Sequence, residues 1–251
     1  MTDPRMHTIV LATQKGGSGK STLAIGLALA AMQTGLTVRL IDADPQGTLS
    51  NWRKRRVEAE PVVETVFSVQ EIEPRLRTLE NCGVALTIID SAGGVSAVRT
   101  AAIRHADLCL IPVRPSIADV EATASTLSLV RAWKKPFAFV LNQTPSRGQR
   151  VGNAADSLAE ESSSLDLADV LARPFVGMRN DHQDALQAGL SVGEYAPAGK
   201  SAEEIRSLWQ WVQERLTAGA VIDEQLGSEL ATPSLVAALP SMRMEPASLA
   251  L

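Results

Sequence analysis

Residues Gln14 to Thr22 read QKGGSGKST and directly follow an apolar run, Thr8-Ile9-Val10-Leu11-Ala12-Thr13. The order is strand, glycine-rich turn, helix. Glycines at 16, 17 and 19 let the backbone turn its N–H groups inward around a polyphosphate, and the helix that follows points the positive end of its dipole at the same anion. Gly16, Gly17, Ser18, Gly19 and Thr22 would form the wrap. The Lys20 ammonium would neutralise the β- and γ-phosphates, and the Ser21 hydroxyl would complete an octahedral Mg²⁺ shell. The general phosphate-loop pattern places a glycine where this chain has Gln14. A second lysine, Lys15, opens the loop instead.

Acidic residues end two further apolar runs. The segment Leu40-Ile41-Asp42-Ala43-Asp44-Pro45-Gln46 puts Asp42 and Asp44 on the same side of a strand by period-two alternation, so both would face the loop. A carboxylate beside a γ-phosphate can orient or deprotonate an attacking water, which is the positioning that phosphoryl transfer chiefly needs. Ile88-Ile89-Asp90 ends another run, and Ser91-Ala92-Gly93-Gly94 follows it. Without the phosphate loop upstream, each of these acids would read as an ordinary strand-to-turn junction.

The elements that must position these residues are legible as alternation. Apolar runs of strand length recur at Val38–Asp42, Val84–Asp90, Leu108–Val113 and Phe137–Asn142, with stretches of helical length between them. Continuous apolar runs suit strands covered on both faces. The expected fold is therefore α/β, a doubly wound and mostly parallel sheet with helices on both faces, binding ligand at the carboxyl ends of its strands. Helices are expected at Lys20–Gln33, Thr48–Glu58, Ala118–Lys134 and Ala202–Leu216. In the last, Ile205, Leu208, Trp209, Val212 and Leu216 share one face, which makes Trp209 a core residue and leaves Trp211 off the stripe. From Thr217 the chain carries Gly219, Gly227, Pro233, Pro240 and Pro246 without sustained periodicity. The expected organisation is one domain over 1–216 and a flexible tail over 217–251, with at most a short helix near Leu235.

Composition fits this frame. At 251 residues and 45% hydrophobic, the chain can bury one sizeable α/β core. No run reaches the ~18 apolar residues of a membrane span, and no basic-then-apolar leader opens the chain, so a cytoplasmic location is expected. Cys82 and Cys109 are far apart, and His7, His105 and His182 are isolated, so neither a disulfide framework nor a zinc site is read. A formal net charge of -4 offers no global attraction to nucleic acid. Arg53-Lys54-Arg55-Arg56 is the densest basic cluster and reads first as a solvated helix face, with Arg206 and Arg215 as equal candidates for phosphate contacts.

The loop KGGSGKS resembles the deviant Walker A box of the ParA/MinD family, and the order of the remaining segments is similar. The resemblance runs from about Thr8 to about Leu216 and comes nearest to short-form ParA partition proteins, only seven residues standing before the first apolar run. It implies a P-loop ATPase using ATP and Mg²⁺, in which Lys15 reaches across a homodimer to the partner's nucleotide. DADPQ resembles the family's second box, making Asp44 the residue linked to hydrolysis and Asp42 a support for Mg²⁺ or its waters. Ile88-Ile89-Asp90 resembles a Walker B segment whose Asp holds Mg²⁺, although the prolines that often follow are replaced here by Ser91-Ala92-Gly93-Gly94. Pro112–Ser116 and Val140–Gln143 resemble segments at the nucleotide and dimer faces. Asn142 is either an adenine contact or a turn-forming residue. Val176–Asp181 resembles the loop over the base.

By the same resemblance the closed dimer would bind DNA non-specifically and associate with the nucleoid. A ParB-like or other cargo-linked activator would trigger hydrolysis, so that plasmid, chromosome or protein cargo is segregated or positioned. A MinD-like membrane cycle would need a basic amphipathic C-terminal helix, whereas residues 217–251 hold Asp223, Glu224, Glu229 and Glu245 against Arg243. A nitrogenase iron-protein-like carrier would need cluster cysteines, and Cys109 lies inside a strand. A dethiobiotin-synthetase-like ligase shares the fold but not the pairing of Lys15 with DADPQ.

Overall fold

The computed structural model describes residues 5–162 and 170–231. Strands β1 (His7–Leu11), β2 (Val38–Ala43), β3 (Val62–Thr65), β4 (Leu86–Ser91), β5 (Leu108–Val113) and β6 (Phe137–Leu141) form one sheet in the order β3-β2-β4-β1-β5-β6. Every pairing is parallel. Helices α1 (Lys20–Gln33), α2 (Thr48–Arg55), α3 (Val69–Asn81), α4 (Ala97–Arg104), α5 (Ile117–Glu121), α6 (Ala124–Ala132), α7 (Arg150–Ser162), α8 (Asp181–Gln187), α9 (Val192–Tyr195) and α10 (Lys200–Ala231) cover it. The doubly wound α/β expectation holds.

Alternation along each buried strand supplies a core to both faces. Ile9, Leu11, Leu40, Ile88, Leu110 and Val140 pack under α1, α2 and α10. Val10, Ile41, Ile89, Cys109, Ile111 and Phe139 pack under α3, α4, α6 and α7. Helix α1 is apolar almost all round because it lies between the sheet and α10. At Gly26 an added Cβ would stand 3.1 Å from Ile205, so the two helices meet where one lacks a side chain. Trp209 is core as expected, and Trp211 is partly buried with the Arg215 guanidinium over its ring.

Several boundaries differ from expectation. The edge strand β3 is only four residues long and half-exposed, too short to register as an apolar run. The helix expected over Ala118–Lys134 is two, α5 and α6. The Thr123 hydroxyl there donates to Val120 O, a local bond that competes with helix continuation. Helix α10 continues to Ala231, past the point where the tail was expected to begin. The remainder of that tail, with the short helix near Leu235, lies outside the described residues. Among the described residues no helix is long and apolar enough to cross a membrane.

The basic cluster is a solvated face only in part, Lys54 and Arg55 being exposed and Arg56 buried. Helix α2 ends at Arg55, and Arg56 turns into extended backbone, so the four side chains diverge. Arg56 is buried, donating to both Glu194 carboxylate oxygens at 2.7 and 2.9 Å, to Glu60 O at 2.7 Å and to Gly189 O at 3.2 Å. It also lies 5.2 Å from the Trp52 ring, whose Nε1 donates to Leu190 O. Arg55 donates to Leu186 O and Arg53 to Ala59 O. Arg55 and Arg56 tie α2 to the α8–α9 segment, and Arg53 braces the turn that follows α2.

Candidate nucleotide site

The segment from Gln14 to Gly19 leaves the carboxyl end of β1 and enters α1. Gly17 and Gly19 have φ of 74° and 89°, the left-handed region that only glycine adopts cheaply. Side chains at the end of β6 brace the loop: Asn142 donates to Ser18 O at 2.7 Å and Gln143 to Gly17 O at 2.9 Å. From the β4 end, Gly94 N donates to Gln14 O at 2.8 Å. A cleft of about 870 Å³ opens above, lined by Gly16, Gly17, Gly19, Lys20, Ser21, Thr22, Asp44, Gly93, Ser96 and, from α8, Gln183 and Leu186. That volume lies within the usual range for small-molecule sites, about 300–1,000 Å³.

The electrostatics fit a magnesium–polyphosphate ligand. Lys20 is 7% exposed, and burial pushes its ammonium below the ordinary range while Asp90 and Asp44 pull it back. Asp90 has no exposed surface, and neither carboxylate oxygen meets hydrogen-bond geometry. Burial pushes its carboxyl up to about 7, although the Ser21 hydroxyl and the Lys20 ammonium favour the charged form. A buried carboxylate with free lone pairs beside a hydroxyl is a donor set that a divalent cation would satisfy. Among the described residues no cluster of three or more His, Cys, Asp or Glu could hold a metal alone. Ser21 and Asp90 would therefore share Mg²⁺ with waters and phosphate oxygens, the usual manner for this ion.

Asp42 and Asn142 make contacts other than those expected, and Ser18 and Lys15 do not line the cleft. Asp42 is fully buried, and its Oδ2 accepts from the Ser50 N–H at 2.8 Å and the Ser50 hydroxyl at 2.7 Å, while Oδ1 accepts from Asp44 N at 3.3 Å. It fixes the turn carrying Asp44 and the start of α2 rather than facing a metal. Asn142 is buried with its amide nitrogen spent on the loop, so it braces the phosphate site instead of offering that donor to a base. Ser18 is buried beneath the loop, leaving its backbone as the contact. Lys15 lies outside its own cleft. Its Nζ is 3.8 Å from Asp119 Oδ2, and Asp119 accepts from Arg114 at 2.8 and 3.3 Å and from the Ser116 hydroxyl at 2.5 Å. Burial would raise the Asp119 carboxyl, but the Arg114 and Ser116 hydrogen bonds and the nearby Lys15 hold it below the usual range. Asp44 does line the cleft, half-buried, and its carboxylate accepts from Gln46 N at 3.0 Å. Asp119, Gln183 and Leu186 carried no sequence signal, whereas Arg114 lies in the Pro112–Ser116 segment already noted. Gly93 and Gly94 also carried one, as small residues after an acid-ended strand.

A phosphate loop at a strand's carboxyl end, with acids on the neighbouring strands, defines a P-loop nucleotide-binding α/β protein. Residues 9–191 match the CobQ/CobB/MinD/ParA nucleotide binding domain, and the chain belongs to that family, on its ParA/MinD side. The protein ParA of Rhizobium radiobacter is 33% identical over 129 residues, covering 50% of this chain and 56% of that protein, so the match spans about half of that relative's length. The maintenance of carboxysome distribution protein A of Halothiobacillus neapolitanus is 28% identical over 81% of this chain and 94% of its own. The structure of the ATP complex of Cyanothece McdA superposes with a TM-score of 0.68 at 20% identity, covering 85% of this chain and 97% of that one, which shows the shared fold.

Proposed function

We propose that this chain is a ParA-type positioning ATPase: ATP closes two copies into a sandwich, the closed dimer holds DNA without sequence preference, and hydrolysis stimulated by a cargo-bound partner reopens it. The carrying observation is the division between the two lysines. Lys20 is buried in its own cleft, whereas Lys15 is partly exposed outside it beside Asp119, where a nucleotide held by another copy could reach it. Contacts to triphosphate from both subunits bias the population toward the closed dimer, and loss of the γ-phosphate removes that bias.

Within each subunit the loop N–H groups and Lys20 bind and orient the phosphates, and Asp90 with Ser21 positions the metal. Bound Mg²⁺ would neutralise charge on the β- and γ-phosphate oxygens. Asp44, held by the Asp42–Ser50 bonds on a rigid turn, orients the water and takes its proton. With Arg56 buried and Arg53 and Arg55 bonded to backbone carbonyls, DNA contacts are assigned to the α10 surface, where Arg206 is exposed and Arg215 is half-exposed. Such contacts neutralise phosphate locally despite the chain's formal net charge of -4.

For cargo, a plasmid or chromosome bound through a ParB-like activator is the first reading. A protein compartment is the second, favoured by the match over 81% of this chain to a relative named for carboxysome distribution. The test is binding of random-sequence duplex DNA with ATP, ADP or no nucleotide. ATP should promote binding, Lys15→Gln should lose the ATP response, and Asp44→Ala should stay on DNA with hydrolysis blocked. ATP hydrolysis without DNA binding in any nucleotide state would sink the reading.

A further inference from the structure

A second cavity, of about 650 Å³, shares no lining residue with the nucleotide cleft. Helices α3 and α4 wall it, and Trp133, the C-cap of α6, also lines it. Its volume suits a small organic molecule. Val69, Pro74, Ala97 and Ala101 give it apolar walls, and the Trp133 indole is 42% exposed beside them. Apolar surface gathered in a concavity marks a binding site, unlike apolar residues exposed singly. Phe67, Ser96 and Val98 line the nucleotide cleft while Val69 and Ala97 line this one, so an occupant would touch the same entry turns of α3 and α4.

One cation of this cavity is uncommitted. The Arg104 guanidinium carbon lies 5.1 Å from the centre of the Trp133 ring. Among the described residues it has no hydrogen-bond or ion-pair partner, whereas Arg39, Arg56, Arg75, Arg77, Arg114 and Arg179 each hold a carboxylate. Its place in the last turn of α4 accounts for a positive charge but leaves five N–H donors unclaimed by the protein. The indole restricts the guanidinium, so those donors form a preorganised fork for an anionic oxygen pair. His105, the C-cap of α4, adds an imidazole to the lining. Burial pushes that group below its ordinary range; Glu73 opposes the shift, and Arg104, Lys135 and Arg77 reinforce it. The same residues set the local field, three cations against one carboxylate that Arg77 already binds at 2.5 Å. We propose that this cavity binds a small apolar monoanion, an aromatic or aliphatic body bearing one carboxylate or sulfonate, with the anionic group on Arg104 and the body against Trp133 and the alanines of α4. A polyphosphate or a nucleic-acid backbone would leave those apolar walls uncovered.

The test titrates wild type, Arg104→Met, Glu73→Gln and Ala97→Phe with anilinonaphthalene sulfonate and with phenylnaphthylamine, which shares the rings but lacks the sulfonate, by fluorescence with and without ADP and Mg²⁺. Wild type should bind the sulfonate more tightly than the neutral probe. Arg104→Met should bind the sulfonate about tenfold more weakly and the neutral probe as wild type does. Removing the carboxylate in Glu73→Gln should tighten sulfonate binding about twofold. Ala97→Phe, which fills the cavity, should weaken both probes. All three variants should unfold near the wild-type temperature, because Arg104, Glu73 and Ala97 are exposed. Equal losses of both probes in Arg104→Met, or no loss of either, would overturn the proposal. A sulfonate probe that ADP displaces and Ala97→Phe leaves bound would overturn it too, since that probe sits in the nucleotide cleft.

Discussion

Replacing Gly19 by alanine tests how the phosphate loop is held. Gly19 has φ +89°, and a Cβ added there would stand 2.2 Å from Asn142 Nδ2. Asn142 cannot retreat freely, because it is 5% exposed and that nitrogen donates to Ser18 O at 2.7 Å. Two costs follow. A non-glycine residue in the left-handed region loses about 1–2 kcal/mol. Displacing the amide leaves a buried hydrogen bond unmade, a further ~1–3 kcal/mol. Gly19→Ala should therefore lower the unfolding free energy by about 2–5 kcal/mol and weaken nucleotide binding. Asn142→Ala alone removes the bond but also the obstacle. In that background Gly19→Ala should cost only the dihedral strain, so the two substitutions should couple by about 1–3 kcal/mol. Urea unfolding of the four proteins, followed by tryptophan fluorescence, measures the cycle. Equal costs of Gly19→Ala with and without Asn142 would refute the reasoning, as would a Gly19→Ala protein as stable as wild type.

Gly189, at φ +71°, would place a Cβ 2.6 Å from the Arg55 carbonyl, a backbone group that cannot rotate away. Gly189→Ala should therefore cost about 3 kcal/mol or more in urea unfolding. Burial alone would raise the Glu194 carboxyl, but hydrogen bonds from Arg56 and the Ser191 backbone outweigh it and hold the group below its ordinary 4.5. The stability contributed is thus present above pH 4.5 and lost as pH falls through the lower folded value. Glu194→Gln should be less stable at pH 7 by about 1–3 kcal/mol and show a flatter acid limb in thermal unfolding against pH. Asp90 has the opposite sign: its carboxyl is raised from 3.8 to about 7, so nucleotide- and metal-free protein should lose stability as pH climbs through that window. Asp90→Asn should remove this dependence and raise the metal-free unfolding temperature at pH 8 by at least about 4 °C. It should also abolish the Mg²⁺ enhancement of nucleotide binding in calorimetry.

What the sequence revealed was local, and what it withheld was partnership. Glycine spacing around Lys20 is a short-range pattern that located the cleft, and acids at strand ends gained meaning only beside it. Alternation placed Asp42 and Asp44 on one side of β2 but could not say that Ser50, eight residues on, would take up the Asp42 carboxylate. The cluster at 53–56 read as solvated because its anchor, Glu194, stands 138 residues from Arg56. Asp119 had no motif of its own and gains meaning only where α5 meets the loop. Strand β3 escaped notice because an edge strand of four half-exposed residues leaves little apolar signal.

In the proposed cycle Lys15 serves a nucleotide that its own subunit does not hold. Sedimentation of wild type, Lys15→Gln and Asp44→Ala with Mg²⁺ and ATP tests that claim most directly. Wild type should shift toward a dimer, Asp44→Ala should remain one, and Lys15→Gln should stay monomeric while still binding ATP through Lys20. A Lys15→Gln protein that dimerises with ATP as wild type does would contradict the claim.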